Sequence, residues 1–456
     1  MRYINTLLSF ILAIMITFFM SSCKKFLDEK SNKNYVIPAT LKDLQALLDD
    51  YAFINYRLPF GGEVSADNYF LSDEALTSLT DETQRNMYLW LGERNYPLET
   101  NDWSFCYKVI YIANTVLETI EKINRTNDNS FLFDDIKGQA LFLRALYYHN
   151  AALVWCAAYS GQTAETSLGL PLRLNTNFNE KSVRSTLEET YNLIIGDLNE
   201  AVKRLPVTPV HVMRPSKPAA FALLSRVHLS MGEYVNAKNN ADSTLSYSAT
   251  LLDYNSSDVN PSATNPFRLF NPEVMYHARM QFPSILAGSR AKIDTLLYRS
   301  YDNNDMRKNA FFRINADGSF RFKGSYDPGN FFAGLATDEV YLTRAECNIR
   351  LNNLAGGLAD LNTLLKNRYQ TGLFTPITTS NTTDALDIVL SERRKELLMR
   401  GIRWMDLKRL NIENANITIS RNYNLNHYTL SPNDLRYALL IPEDVIQLSG
   451  MQQNPR

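Results

Sequence analysis

Apolar residues recur every three to four positions through most of the chain, the spacing that lines one face of an α-helix. The clearest case is STLEETYNLIIGDLNEAVKRLP, residues 185–206. There Leu187, Tyr191, Ile194, Ile195, Leu198, Val202 and Leu205 form one stripe, Ser185 and Glu188 have capping-box spacing, and Pro206 closes the pattern. A shorter stripe from Thr40 to Tyr51 turns Leu41, Leu44, Leu47, Leu48 and Tyr51 inward.

Internal repetition follows from the same period. Residues 221–241 fit a tetratricopeptide frame, in which small residues let two antiparallel helices approach closely. Phe221, Leu224, Ser225 and His228 take the first helix, Ala237 and Ala241 the second, and Gly232 stands at the turn. LFLRALYY (141–148) echoes the frame with Leu141, Ala145 and Tyr148, and YLTRAECN (341–348) with Tyr341, Ala345 and Asn348. The segment from Asn101 to Ile123 supplies Trp103, Tyr107, Ile110 and Asn114 at similar offsets. The expected fold class is all-α dominated: a tetratricopeptide-like helical repeat platform. Between about residues 246 and 337 the stripe fades into Asn, Ser, Pro and Gly punctuation, and FFRINADGSFRF (311–322) reads as a small β-hairpin. A loop-rich insertion on a rigid platform is where binding residues concentrate.

The N-terminus has a different pattern. Arg2 precedes an apolar run from Leu7 to Met20, and Ser21 and Ser22 follow it, the order of a secretory signal over residues 1–22. The run is too short to cross a bilayer as a helix, which takes about 18 apolar residues or more, and no later segment reaches that length. Small residues placed directly before Cys23 resemble the lipobox of bacterial lipoproteins, in which that cysteine becomes the lipidated first residue. Residues 23–34 then read as a polar tether and 35–456 as the folded part; an ordinary cleaved signal beside an incidental cysteine is the alternative.

Composition narrows the function. The 456 residues are 45% hydrophobic and 21% charged, enough apolar material for a large core. The 47 basic residues balance 48 acidic ones, so no net field draws nucleic acid or anionic lipid. Cys106, Cys156 and Cys347 lie scattered within helical stripes and read as small buried hydrophobes, with no disulfide framework or metal pair. His149, His211, His228, His277 and His427 are isolated, which gives no metal set; no cofactor motif, nucleophile elbow or phosphate loop occurs. The charged stretch Ser391–Leu410 suggests structure rather than catalysis, since Glu396 and Arg400 have i,i+4 spacing and Glu396 and Arg403 fall on one helical face.

Several segments in one order carry a resemblance: CKKFLDEK (23–30), EVSADNYF (63–70), IANTVLETI (112–120), GQALFLRALYYHNAALVW (138–155), SKPAAFALLSRVHLSMGEYVNAKNNAD (216–242), LSERRKELLMRGIRWMDLKRL (390–410) and LLIPEDVIQLSGMQQNP (439–455). Together they resemble the SusD/RagB family of surface lipoproteins from Bacteroidota glycan-uptake systems. The resemblance implies a lipid-anchored protein on the exterior of the outer membrane. Such a protein captures oligosaccharide without cleaving it and docks as a lid on a SusC-like TonB-dependent transporter. It also implies ligand contacts on the loops after SADNYF and within the insertion, which nominates Tyr69, Trp90, Asn95, Tyr96, Tyr326 and Phe331. Two departures stand out. Arg400 precedes Gly401 where the family carries an acidic residue, and the acidic run near the lipobox is displaced to Asp28 and Glu29, behind Lys24 and Lys25. Two other readings are a helical-repeat surface adaptor for peptide or protein ligands and an exported hydrolase.

Overall fold

The structure is a computed structural model that describes residues 38–456. The signal segment, Cys23 and the tether lie outside the described residues. Among those residues, the helices of eight residues or more are α1 (Leu41–Leu48), α2 (Asp102–Ile120), α3 (Ser130–Trp155), α4 (Leu187–Arg204), α5 (Lys217–Ser230), α6 (Tyr234–Tyr247), α7 (Thr337–Arg350), α8 (Leu354–Lys366), α9 (Thr382–Glu396) and α10 (Arg403–Ile412). From α2 to α8 each helix packs on the next in chain order, and α9 closes on α7 and α8. This is a tetratricopeptide-like platform.

The predicted stripe of α4 is its buried face: Leu187, Tyr191, Ile194, Leu198 and Leu205 are all buried. Its capping box stands one residue later than the sequence suggests. Thr186 Oγ1 accepts from the Glu189 N–H at 3.0 Å, and the Glu189 carboxylate accepts from the Thr186 N–H at 2.8 Å. Ser185 and Thr186 both belong to strand β3 (Arg184–Thr186), which pairs with β2 (Leu168–Pro171), but only Thr186 directly precedes the helix; the Ser185 hydroxyl donates to the Thr186 carbonyl at 2.9 Å. The α5–α6 turn follows the repeat frame: Ser225 Oγ donates to the Ala237 carbonyl at 2.8 Å, a close approach that larger side chains would block. Gly232 takes a left-handed φ of 76° between the two helices. In α1, Leu44 and Leu48 are buried, but Tyr51 is 52% exposed because the helix has ended before it and its ring meets Tyr56 edge-on.

Between α6 and α7 the chain is irregular, with short two-stranded pairings: β1 (Tyr69–Phe70) with β5 (Lys292–Ile293), β4 (Val274–Tyr276) with β8 (Leu335–Ala336), and β6 (Phe312–Ile314) with β7 (Phe320–Phe322). The last is the predicted hairpin. It sets Phe312 opposite Phe322, Arg313 opposite Arg321 and Ile314 opposite Phe320. Strands β9 (Ile419–Tyr423) and β10 (Asn426–Leu430) form a further hairpin.

A buried charge network ties the insertion to the platform. Arg368 donates to Glu396 and to Glu273, each at 2.7 Å, and Arg307 donates to Glu396 at 2.9 Å. The expected partnership of Glu396 with Arg400 and Arg403 does not form. Helix α9 stops at Glu396, Met399 turns the backbone left-handed at φ 59°, and i,i+4 geometry ends with the helix. Arg400 instead pairs with Asp338 and Arg403 with Asp67. Cys106, Cys156 and Cys347 are buried free thiols, and Trp103, Trp155 and Trp404 are core residues.

Candidate functional site

Phe282 and Phe331 stack at a cleft of about 240 Å³, with ring centroids 5.3 Å apart and planes 17° from parallel. Backbone pairing brings them together across a long stretch of chain. The Met280 N–H donates to the Phe331 carbonyl at 3.0 Å, and the Ala333 N–H to the Ala278 carbonyl at 2.9 Å. The loop that delivers Phe331 is a type II turn through Asp327, Pro328, Gly329 and Asn330. Proline sets the first corner, Gly329 takes φ 75° at the second, and the Asn330 N–H closes it on the Asp327 carbonyl at 3.0 Å. Ser325 Oγ fixes both sides of the turn by accepting from the N–H of Asp327 at 3.1 Å and of Phe332 at 3.0 Å. Phe331 is 6% exposed and backs the stack, whereas Phe282 is 47% exposed and offers an open ring face.

The polar side of the cleft comes from the hairpin and the loops on either side of it. Arg313, Arg321, Lys323, Asn265 and Asn330 line it, and no Asp or Glu does. Past Gly288 and Arg321 the cleft continues onto an open shelf bounded by Asp317, Lys292 and the short helix Asp73–Thr77 that follows SADNYF. Of the residues nominated by the family resemblance, Phe331 alone lines this cleft. An apolar ring face beside amide and guanidinium donors suits a pyranose, whose C–H face stacks while its hydroxyls take hydrogen bonds.

The other nominees occupy the core. Tyr69 (3% exposed) donates its hydroxyl to the Val64 carbonyl at 2.8 Å, and Trp90 (2%) donates Nε1 to the Ser65 carbonyl at 3.0 Å under the Arg421 guanidinium. Asn95 (3%) accepts from Arg456 at 3.1 Å, and the Tyr96 ring (2%) packs on Trp155. Tyr326 (1%) points away from the cleft and donates to Glu273 at 2.6 Å. Each has its polar atom or its ring faces engaged inside the protein, which corrects the expectation that they face a ligand. Trp90 stands outside the helical period because it turns left-handed, φ 55°, after a short helix, not because it is exposed. Phe282, Arg313 and Arg321 were not nominated. The one mark Phe282 carries in the sequence is a large apolar residue between Gln281 and Pro283 in a stretch without period.

Comparison with known proteins decides the family. Residues 25–229 match the family model SusD-like_3, described as starch-binding associating with outer membrane, and residues 337–455 match SusD_RagB, the SusD family. The chain is 23% identical to SusD-like protein P38 of Formosa agariphila over 429 residues, covering 77% of this chain and 79% of that protein. The chain belongs to the SusD/RagB family. The fold of this SusD-like chain is also that of a SusD superfamily protein from Bacteroides thetaiotaomicron, with a TM-score of 0.73 at 22% identity, covering 91% of this chain and 100% of that one. A SusD-like carbohydrate-binding protein of Bacteroides vulgatus superposes with a TM-score of 0.64 at 20% identity, covering 90% of this chain and 96% of that one.

The two family matches leave residues 230–336 between them, and Phe282, Arg313, Arg321 and Phe331 all stand in that gap. A larger cavity of about 360 Å³ lies elsewhere on this SusD-like chain, lined by Lys408, Asn411, Tyr437 and Asn454. Its one aromatic ring, Tyr437, is buried against Trp404, so it presents no open stacking face. No group of three or more His, Cys, Asp or Glu side chains that would hold a metal ion occurs among the described residues.

Proposed function

We propose that this protein is a non-catalytic glycan-capture lipoprotein of the outer membrane, anchored through Cys23. It holds oligosaccharide in the Phe282–Phe331 cleft for a partner SusC-like TonB-dependent transporter. The observation that carries the reading is the half-exposed Phe282 ring, stacked on Phe331 and flanked by amide and guanidinium donors. No Asp or Glu side chain lines the Phe282–Phe331 cleft itself. The starch-binding, outer-membrane description of the family model and the carbohydrate-binding relative from Bacteroides vulgatus support the ligand class. No helix among the described residues is long and apolar enough to cross a membrane.

Calorimetric titration with a panel of oligosaccharides tests the proposal. Phe282→Ala removes one stacking face worth about 0.5–1.5 kcal/mol plus its apolar contact, so affinity should fall roughly tenfold, while loss of the Phe331 stack lowers the melting temperature by no more than about 2 °C. A panel in which nothing binds the intact protein, or a Phe282→Ala variant that binds as well as the parent, would refute it.

A further inference from the structure

The hairpin that walls the cleft places Arg313 directly opposite Arg321 in the β6–β7 register, and Lys323 follows two residues after Arg321 on the same strand face. Like charges facing each other across a strand pair are destabilising. None of the three has an ion pair among the described residues; Asp317, in the turn of the same hairpin, pairs with Lys292 instead. Among the described residues, Arg313 makes no hydrogen bond or ion pair, Arg321 donates only to the Asn315 amide oxygen at 3.1 Å, and Lys323 donates to the carbonyls of Pro261 at 2.6 Å and Ala263 at 2.9 Å. Arg313 is exposed and Arg321 and Lys323 are half-buried, so all three can present charge to a ligand in the cleft. Position is enforced as well. A Cβ at Gly288 would stand 3.0 Å from Arg321 Cδ, so the absence of a side chain there seats the arginine stem against the cleft floor.

We infer that the cleft selects acidic oligosaccharides, with Arg313, Arg321 and Lys323 taking a sugar carboxylate or sulfate while Phe282 stacks on a ring beside it. The inference rests on the glycan-capture reading of the same cleft and adds the substrate class. Guanidinium groups suit both anions because their paired N–H donors match two oxygens at once. The lysine already senses the field of this wall: burial and the Arg313 charge hold its ammonium below the ordinary lysine value. An anion seated here relieves the repulsion between the two guanidinium groups, so binding and hairpin stability should rise together.

The test is titration of the full chain with three hexasaccharides at low and moderate salt: a galacturonan for the carboxylate, a κ-carrageenan for the sulfate, and a neutral β-1,4-galactan. The expected result is at least a roughly tenfold preference for one or both acidic probes over the neutral one, weakening as salt rises. Arg313→Gln combined with Arg321→Gln should bring the acidic-to-neutral affinity ratio close to one, and an acidic probe should raise the melting temperature of the parent but not of this variant. Equal affinity for acidic and neutral probes, or a ratio the double variant does not change, overturns the inference while glycan capture at Phe282 stands. Unchanged affinity for all probes in Phe282→Ala overturns the capture reading itself, and the acidic selectivity argued for this cleft falls with it.

Discussion

Replacing Arg368 by methionine should destabilise the protein more than any single change on its surface, because it leaves charges without a partner in the interior. Arg368 is fully buried, and its guanidinium donates to Glu396, Glu273 and the Leu252 carbonyl, each at 2.7 Å, beneath the ring of Tyr254. The two carboxylates are not equally dependent on it. Glu396 keeps the Arg307 guanidinium at 2.9 Å, whereas Glu273 keeps only neutral donors, the Tyr326 hydroxyl at 2.6 Å and the Leu252 N–H at 2.7 Å. Glu273 is thus the stranded charge. Removing one member of such a buried set costs about 3–5 kcal/mol. With an unfolding entropy of about 2.1 cal/mol/K per residue over roughly 420 residues, that loss lowers the melting temperature by about 3–6 °C. Burial raises the Glu396 carboxyl, but Arg368 and Arg307 outweigh it and hold the group below its ordinary value. Stability from a depressed carboxyl is present above its unfolded value and is lost as pH falls through the folded one. The gap between parent and variant should therefore narrow in acid. Differential scanning fluorimetry at neutral and acidic pH measures both effects, and Glu273→Gln added to Arg368→Met should restore part of the loss by neutralising the stranded group. A variant that melts within about 1 °C of the parent, or a second substitution that restores nothing, would refute the assignment of this network as the tie between insertion and platform.

Two further substitutions probe the fold and the site. Asp102 is buried and accepts from the N–H groups of Phe60 at 2.9 Å and Gly61 at 3.1 Å, yet burial pushes its carboxyl up to about 7. A raised carboxyl contributes stability that is full below its unfolded value and lost as pH rises through the folded one, so the parent should lose stability between about pH 4 and pH 7. Asp102→Asn keeps the acceptor and should flatten that slope, as read by urea midpoints across the window. Gly329→Ala places a side chain in the left-handed corner of the turn that carries Phe331, where φ is 75° and no neighbour crowds a Cβ. The cost is therefore conformational, about 1–2 kcal/mol, and glycan affinity should drop with the displaced Phe331 ring, both measurable by thermal melts and calorimetry on one preparation.

How much of this was legible in the sequence depends on the range over which each property is set. The α4 stripe, the Ser225–Ala237 helix contact and the hairpin around Asn315–Ser319 are fixed by residues within about a dozen positions of each other, so local pattern reveals them. The partners of Glu396 are not: once α9 ends, its charge is met by Arg307 and Arg368, residues that no local spacing associates with it. The candidate site shows the same division. Irregular chain marks the insertion as a place where binding concentrates, and the family resemblance adds the loop after SADNYF. Which aromatic faces outward could not, because Trp90 and Phe282 look alike in one dimension: each is a large ring in a stretch without period. Trp90 is buried because its indole N–H reaches Ser65 and Arg421 folds over it, and Phe282 stays open because its partner, Phe331, arrives from a separate loop by backbone pairing at Met280. The cationic wall has the same origin. Arg313 and Arg321 are ordinary surface residues in the sequence, and the hairpin register that sets them face to face is what gives their repulsion a use in binding.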